Sequence, residues 1–292
     1  MDSLMVAKDS KYPLSNGHEI PVSGFGVFQI PADRARDVVY EALKIGYRHI
    51  DSARDYGNEK ESAEGIAKFL SEFREVRRRD IFFTSKIQNR VQTSYEESVS
   101  QLQESWDRCR EFVGYFDLFL VHCTYPNKET RLNQYKALQD FVDRGAIRSI
   151  GVSNYGTRHL DELMNWEGLR YKPVINQLEL QPWLPRIDLQ LYGKKHGILL
   201  EAYSPLTQGK RFNDPEIVAI AEKHGKTPAE ILLRWSYDQG FIPISKSVTI
   251  SRISANFNVL DHVFLDDADK KILDKPTSYE VLGWDPTIYI DP

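Results

Sequence analysis

Short runs of consecutive apolar residues alternate along this chain with longer stretches in which apolar residues recur every three or four positions. The short runs fall at residues 23–27, 47–52, 81–86, 118–122, 149–153, 174–178, 199–203 and 242–245, and each reads as a buried strand. Helical spacing falls between and after them, at 32–44, 59–70, 95–111, 130–144, 159–165, 186–196, 215–224 and 228–239. The first of these shows the logic: Ala35, Val38, Val39, Ala42 and Leu43 share one face, and Gly46 supplies the stop. Ahead of the repeat, residues 13–22 read as a hairpin, with Ser15-Asn16-Gly17 supplying a turn that needs positive φ.

Strands that alternate with helices predict a parallel sheet with crossover helices. Eight such units, with no Pro/Gly/Ser linker and no shift in composition, predict a closed (β/α)8 barrel of the α/β TIM class rather than an open sheet. The expectation is one domain over residues 1–292, an N-terminal β-hairpin, and a C-terminal tail over the active-site face. A length of 292 residues suits a barrel whose usual size is about 250. Chemistry in such barrels sits at the C-terminal ends of the strands, so the polar residues that finish the apolar runs are the candidates.

Three neighbouring strands finish in titratable residues. In Tyr47-Arg48-His49-Ile50-Asp51-Ser52, a period of two puts His49 and Asp51 on one face, with Asp51 pointing into the barrel near its top. Lys86 ends the apolar run Ile81-Phe82-Phe83-Thr84-Ser85, a costly place for a charge unless a carboxylate such as Asp51 faces it. His122 ends the fourth run, and Tyr56 lies five residues beyond Asp51. A tyrosine with an ordinary pKa near 10 is a weak acid at neutral pH, and Lys86 and His122 are the cations expected to lower that value. His122 is also placed to orient a substrate carbonyl.

Composition narrows the class further. The net charge is −4, with basic and acidic residues interspersed, so neither nucleic acid nor an anionic membrane is expected as partner. The run Arg77-Arg78-Arg79 reads as a solvated helix end. Two cysteines form no disulfide framework, residues 1–11 form no leader or anchor, and no apolar run approaches the ~18 residues that span a bilayer. A cytoplasmic monomer acting on a small molecule is the expectation. The seven histidines are scattered without ligand spacing, so no metal is expected, and Gly24-Phe25-Gly26 lacks the third glycine of a dinucleotide fingerprint.

Taken together, these residues resemble the aldo-keto reductase superfamily from about Tyr12 to Pro286. Gly46 to Ala53 followed by Tyr56-Gly57-Asn58-Glu59 is similar to the family's first signature, and Ser85-Lys86 and Leu120-Val121-His122 to its lysine and histidine elements. The resemblance implies a catalytic set of Asp51, Tyr56, Lys86 and His122 in an NADPH-dependent carbonyl reductase, with NADH bound more weakly. It also implies that Gly26, Val27 and Asp51 lie beside the cofactor and that Ser153, Asn154 and Gln177 bind its carboxamide. Tyr203 would stack on the nicotinamide, with Ser204 and Leu206 on the pyrophosphate side. Lys246, Ser247, Val248, Arg252 and Asn256 would hold the adenosine end, lysine and arginine gripping a 2′-phosphate.

Departures from the family pattern fall on the pocket and on the adenine end. Phe28 and Cys123 stand where many relatives have tryptophan, and Ala255 where many have an acidic residue. Phe28, Cys123 and Trp284 are the expected substrate-pocket residues. Tail aromatics Tyr279, Trp284 and Tyr289 either close over the site or only pack. Two rival functions remain at this point: a nucleotide-binding or structural protein on the same fold without significant turnover, and a lysine Schiff-base aldolase using Lys86.

Overall fold

In the computed structural model, which describes residues 6–88 and 91–291, all eight predicted runs are strands and they close on themselves. A two-stranded antiparallel hairpin, β1 (Lys11–Pro13) and β2 (Glu19–Pro21), comes first, with Gly17 in its turn at φ 86°. The barrel strands are β3 (Gly24–Gly26), β4 (His49–Asp51), β5 (Phe82–Ile87), β6 (Phe116–Val121), β7 (Ile147–Ser153), β8 (Ile175–Glu179), β9 (Leu199–Tyr203) and β10 (Ile242–Ser245). Every neighbouring pair is parallel, and β10 pairs with β3 to complete the ring. This is an α/β TIM barrel.

Eight helices match the predicted periodic stretches to within about two residues, the usual scatter of helix ends. They are α1 (Ala32–Ile45), α2 (Glu59–Glu72), α3 (Tyr95–Val113), α4 (Lys128–Asp143), α5 (Thr157–Met164), α6 (Ile187–His196), α7 (Pro215–His224) and α8 (Pro228–Asp238). Three more follow: α9 (Ile250–Phe257), α10 (Val259–His262) and α11 (Asp267–Leu273). The predicted stretches end before these, although Ile250, Ile253 and Phe257 carry helical spacing in α9.

Strand parity divides the barrel residues between two cores. Ile50, Phe83, Phe119, Val121, Ile150, Val152 and Leu178 join the large cluster formed with the helices. Phe82, Leu118, Leu120, Ile175, Ile242 and Ile244 form a separate inner cluster with Leu14 and Ile20 of the hairpin. The hairpin thus plugs the N-terminal end of the barrel with apolar side chains, and the polar inward residues lie toward the opposite end. Arg78, expected as part of a solvated helix end, is instead half-buried at the plugged end. Its guanidinium donates to the carbonyls of Val113, Ile81 and Tyr115 and to Asp117 at 2.6–2.8 Å.

The tail crosses the other end. Thr124 donates to the Pro286 carbonyl, Tyr289 to the Pro126 carbonyl, and Arg186 to Asp285 and Thr287. Gly156 is required at its position because a Cβ there would collide with the carbonyl of Thr287. Near the chain end Asp291 accepts from Arg131 at 2.7 Å, and the same guanidinium makes a two-oxygen pair with Glu162 at 2.9–3.0 Å. Arg131 is only 2% exposed.

Replacing Arg131 by alanine strands two carboxylates that share one buried cation, a class of change that costs about 3–5 kcal/mol. Urea unfolding of Arg131→Ala is expected to show that loss together with faster proteolysis of the tail; an unchanged midpoint would show that the tail is not anchored there.

Candidate active site

The C-terminal ends of β4, β5 and β6 bring the predicted residues together. Register places Asp51 opposite Gly26 on one side and Thr84 on the other, so Asp51 and Lys86 both point inward one layer apart. Lys86 is fully buried and donates to both oxygens of Asp51 at 2.8 Å and to the Ser52 carbonyl at 2.8 Å. Asp51 and Ser52 thus supply the acceptors that keeping an ammonium in a barrel interior requires. Burial alone would drive its proton off. Asp51, with Tyr56 and Glu201, outweighs that and holds Lys86 above its ordinary value. An ammonium held by Asp51 and Ser52 and favoured in its charged form is poorly disposed to act as a nucleophile, which counts against the Schiff-base reading.

Tyr56 ends a short 3-10 turn, Arg54–Tyr56, and its ring lies 5.0 Å from the Lys86 nitrogen. Gly57 follows in the left-handed region at φ 68°, and Asn58 locks the loop. The Asn58 amide donates to the carbonyls of Val27 and Ile30 at 2.9 Å and accepts from Ser52. Glu59, the first residue of α2, is buried and accepts from Ser85, Ser105 and Arg108, tying the loop to the strand that carries Lys86. Tyr56 is therefore fixed from both sides. Burial raises its pKa and the Lys86 ammonium works against that, with burial the larger effect.

His122 stands just past the end of β6, its ring 5.8 Å from that of Tyr56 in a T-shaped arrangement. Burial lowers its pKa; Asp55, 3.4 Å from Nδ1, works in the opposite direction and Lys86 lowers it further. The net direction is down. His122 is thus a neutral imidazole, not the second cation expected beside Tyr56, and Lys86 alone supplies that charge.

On the opposite strands, Ser153 donates to the Gln177 carbonyl at 2.8 Å. Asn154, in the left-handed region at φ 64°, donates to the His122 carbonyl and accepts from the Tyr203 hydroxyl at 2.7 Å. Gln177 donates to Asp51 at 2.9 Å, so the two sides of the barrel mouth are joined. Beyond Tyr203 the chain turns tightly, with Ser204, Thr207 and Gln208 all at φ of 51–53° around Leu206. At the far side Lys246 and Arg252 are exposed, and among the described residues neither has a carboxylate partner. They flank the start of α9, together with Ser247 and the exposed Val248, while Asn256 is buried within the helix. Unmatched cations beside a helix N-terminus are a donor set suited to phosphate.

Phe28 is 52% exposed, with its ring 5.0 Å from that of Tyr56. Trp284 lies on the tail against Tyr125, just beyond His122, at 5.8 Å between rings. Cys123 does not line the space as expected. It is 1% exposed, its sulfur turned to the Tyr125 N–H, because the residue after His122 has the opposite parity. Among the described residues no group of three or more His, Cys, Asp or Glu is placed to hold a metal ion. No described helix is long and apolar enough to cross a membrane.

Two acidic residues escaped the sequence reading. Asp55 borders Tyr56 and reaches His122, but a charge in a loop carries no signal. Glu201 did carry one: it interrupts the apolar run of β9 with inward parity, the same anomaly that marked Lys86.

The family model described as "Aldo/keto reductase family" matches residues 23–276, which contain every residue of this constellation up to Asn256. The chain belongs to that family. Relatives of this aldo-keto reductase include an uncharacterised oxidoreductase of Saccharomyces cerevisiae, 38% identical over 277 residues covering 94% of this chain and 97% of the relative. A glyoxal reductase of Bacillus subtilis is 38% identical, covering 88% of this chain and 90% of its own. An NAD(P)H-dependent pentose reductase of Pyricularia oryzae is 33% identical, with 89% and 92% covered. Among solved structures, an aldo/keto reductase from Brucella melitensis superposes with a TM-score of 0.82 at 38% identity, covering 91% of this chain and 98% of that one. This aldo-keto reductase is accordingly an oxidoreductase.

Proposed function

We propose that this enzyme reduces an aldehyde or ketone to the alcohol with NADPH, and that Tyr56 delivers the proton. The observation that carries the reading is the buried Asp51–Lys86 pair lying directly beneath the Tyr56 ring. Bound NADPH supplies the hydride that goes to the carbonyl carbon. The chain's own residues handle everything else. Tyr56 gives its phenolic proton to the carbonyl oxygen as that oxygen gains charge, and the Lys86 ammonium stabilises the phenolate left behind. Asp51 keeps Lys86 charged and in place. His122, as a neutral imidazole, donates one hydrogen bond that orients the carbonyl.

The mouth of the barrel suits the cofactor. Ser153, Asn154 and Gln177 offer amide and hydroxyl groups for a carboxamide, and Tyr203 offers a ring face for the nicotinamide. Lys246 and Arg252 are the unmatched cations for a 2′-phosphate, which favours NADPH over NADH. Phe28 and Trp284 supply apolar walls for the substrate. The names glyoxal reductase and pentose reductase, carried by two relatives, put small aldehydes first in any test panel.

Absorbance at 340 nm follows NADPH oxidation against such a panel. Tyr56→Phe is expected to cut the reduction rate by about 10²–10⁴-fold, the usual worth of a general acid, while NADPH affinity stays near that of the wild type. Undiminished turnover in that variant would sink the assignment. For the cofactor, fluorescence titration is expected to show NADPH bound more tightly than NADH, and Lys246→Ala with Arg252→Ala to remove about tenfold or more of that preference, the scale of a charged hydrogen bond. Equal affinities in the wild type would refute the role given to these cations.

A further inference from the structure

Below Gln177 the barrel interior holds a carboxyl group that the proposed chemistry does not use. Glu201 lies midway along β9, two residues before Tyr203, and is fully buried. Its Oε2 accepts from Gln177 Nε2 at 2.8 Å, and the same Nε2 donates to Asp51 Oδ2 at 2.9 Å. A primary amide has two N–H bonds, so Gln177 spends both on carboxyl groups. Turning the amide over would set its oxygen against the Asp51 carboxylate, which can only accept. One of its two orientations is thus enforced, and its carbonyl oxygen is the end left for a ligand.

Charge counting shows in what form Glu201 sits there. The groups that face it are His49 and Asp51 from β4, Lys86 from β5 and Gln177 from β8. The Lys86 ammonium is already matched by Asp51, so a second full negative charge would have no cation of its own. Burial, followed by Asp51, pushes Glu201 up to about 8, while burial holds His49 down to about 4. At neutral pH the proton therefore belongs to the carboxyl group. Oε1 is the oxygen to carry it: it makes no hydrogen bond among the described residues and lies 3.6 Å from His49 Nε2, which is itself engaged with Thr84 at 2.9 Å.

We propose that Glu201 is a positioning residue which, together with Asp51, fixes the Gln177 amide with its carbonyl oxygen toward the carboxamide of the bound nicotinamide. This rests on the reading that the barrel mouth binds NADPH. Glu201 touches neither cofactor nor substrate and acts through Gln177.

The test is a double-mutant cycle on NADPH dissociation constants, with circular dichroism and unfolding midpoints checking the fold. Glu201→Leu is expected to weaken NADPH by about tenfold or more, the penalty scale for a buried polar group left unpaired, and Glu201→Gln, whose oxygen accepts the same N–H, to recover most of that loss. Because the two residues act as a unit, Glu201→Leu combined with Gln177→Ala is expected to bind no more weakly than Gln177→Ala alone. Additive losses, or a folded Glu201→Leu protein that binds NADPH like the wild type, overturn the positioning role. If Glu201→Leu does not fold, Glu201→Met takes its place in the same cycle: a loss absent in the Gln177→Ala background supports the positioning role, and additive losses overturn it. A wild type that binds no NADPH at all overturns instead the reading on which the proposal stands.

Discussion

A lysine ammonium inside a barrel must be matched by a carboxylate held at contact distance, and the arrangement of the active end follows from that need. Lys86 is placed by β5 and Asp51 by β4, and their pairing at 2.8 Å requires the two strands to keep the register observed between them. Separating such a pair is far more costly than never having built it. Directly above it the ammonium faces the Tyr56 ring. Tyr56 in turn is held by Asn58 and Glu59, whose partners come from the residue after β3, from β5 and from α3.

The barrel interior is graded along its axis. Apolar side chains and the β1–β2 hairpin fill the inside of one end. Toward the other end the inward positions turn polar, and each group is engaged by the next: Thr84 with His49, Glu201 with Gln177, Gln177 with Asp51, Asp51 with Lys86. This chain of contacts ties residues of β4, β5, β8 and β9 into one unit, so a change at one inward position is felt at the mouth. Loops and the tail then shape what may approach, with Phe28 against Tyr56 and Trp284 of the tail against Tyr125.

Much of this was legible in the chain. Apolar runs and helical spacing located every barrel strand and the eight helices that follow them, because burial on both faces leaves strands nearly continuous in hydrophobicity. Strand ends located Asp51, Lys86 and His122 by the same reasoning: a charge that closes an apolar run must be compensated. Less legible were features set by contacts distant in sequence. His122 is neutral because of the burial and the lysine around it, Cys123 is turned away by parity, and Arg78 is clamped by carbonyls of other segments. Helices α10 and α11 are too short for periodicity to declare them, whereas α9 does carry helical spacing.

The most direct measurement is the pH dependence of carbonyl reduction in the wild type and in Lys86→Met. In the proposed mechanism reduction needs protonated Tyr56, so the rate should fall as pH rises through the tyrosine's pKa. Removing the ammonium removes the one cation that lowers that value, and the fall is predicted to move to higher pH in the variant, with the rate below it reduced. A fall that stays at the same pH in both proteins would contradict the account, because Lys86 would then exert no electrostatic influence on the proton donor.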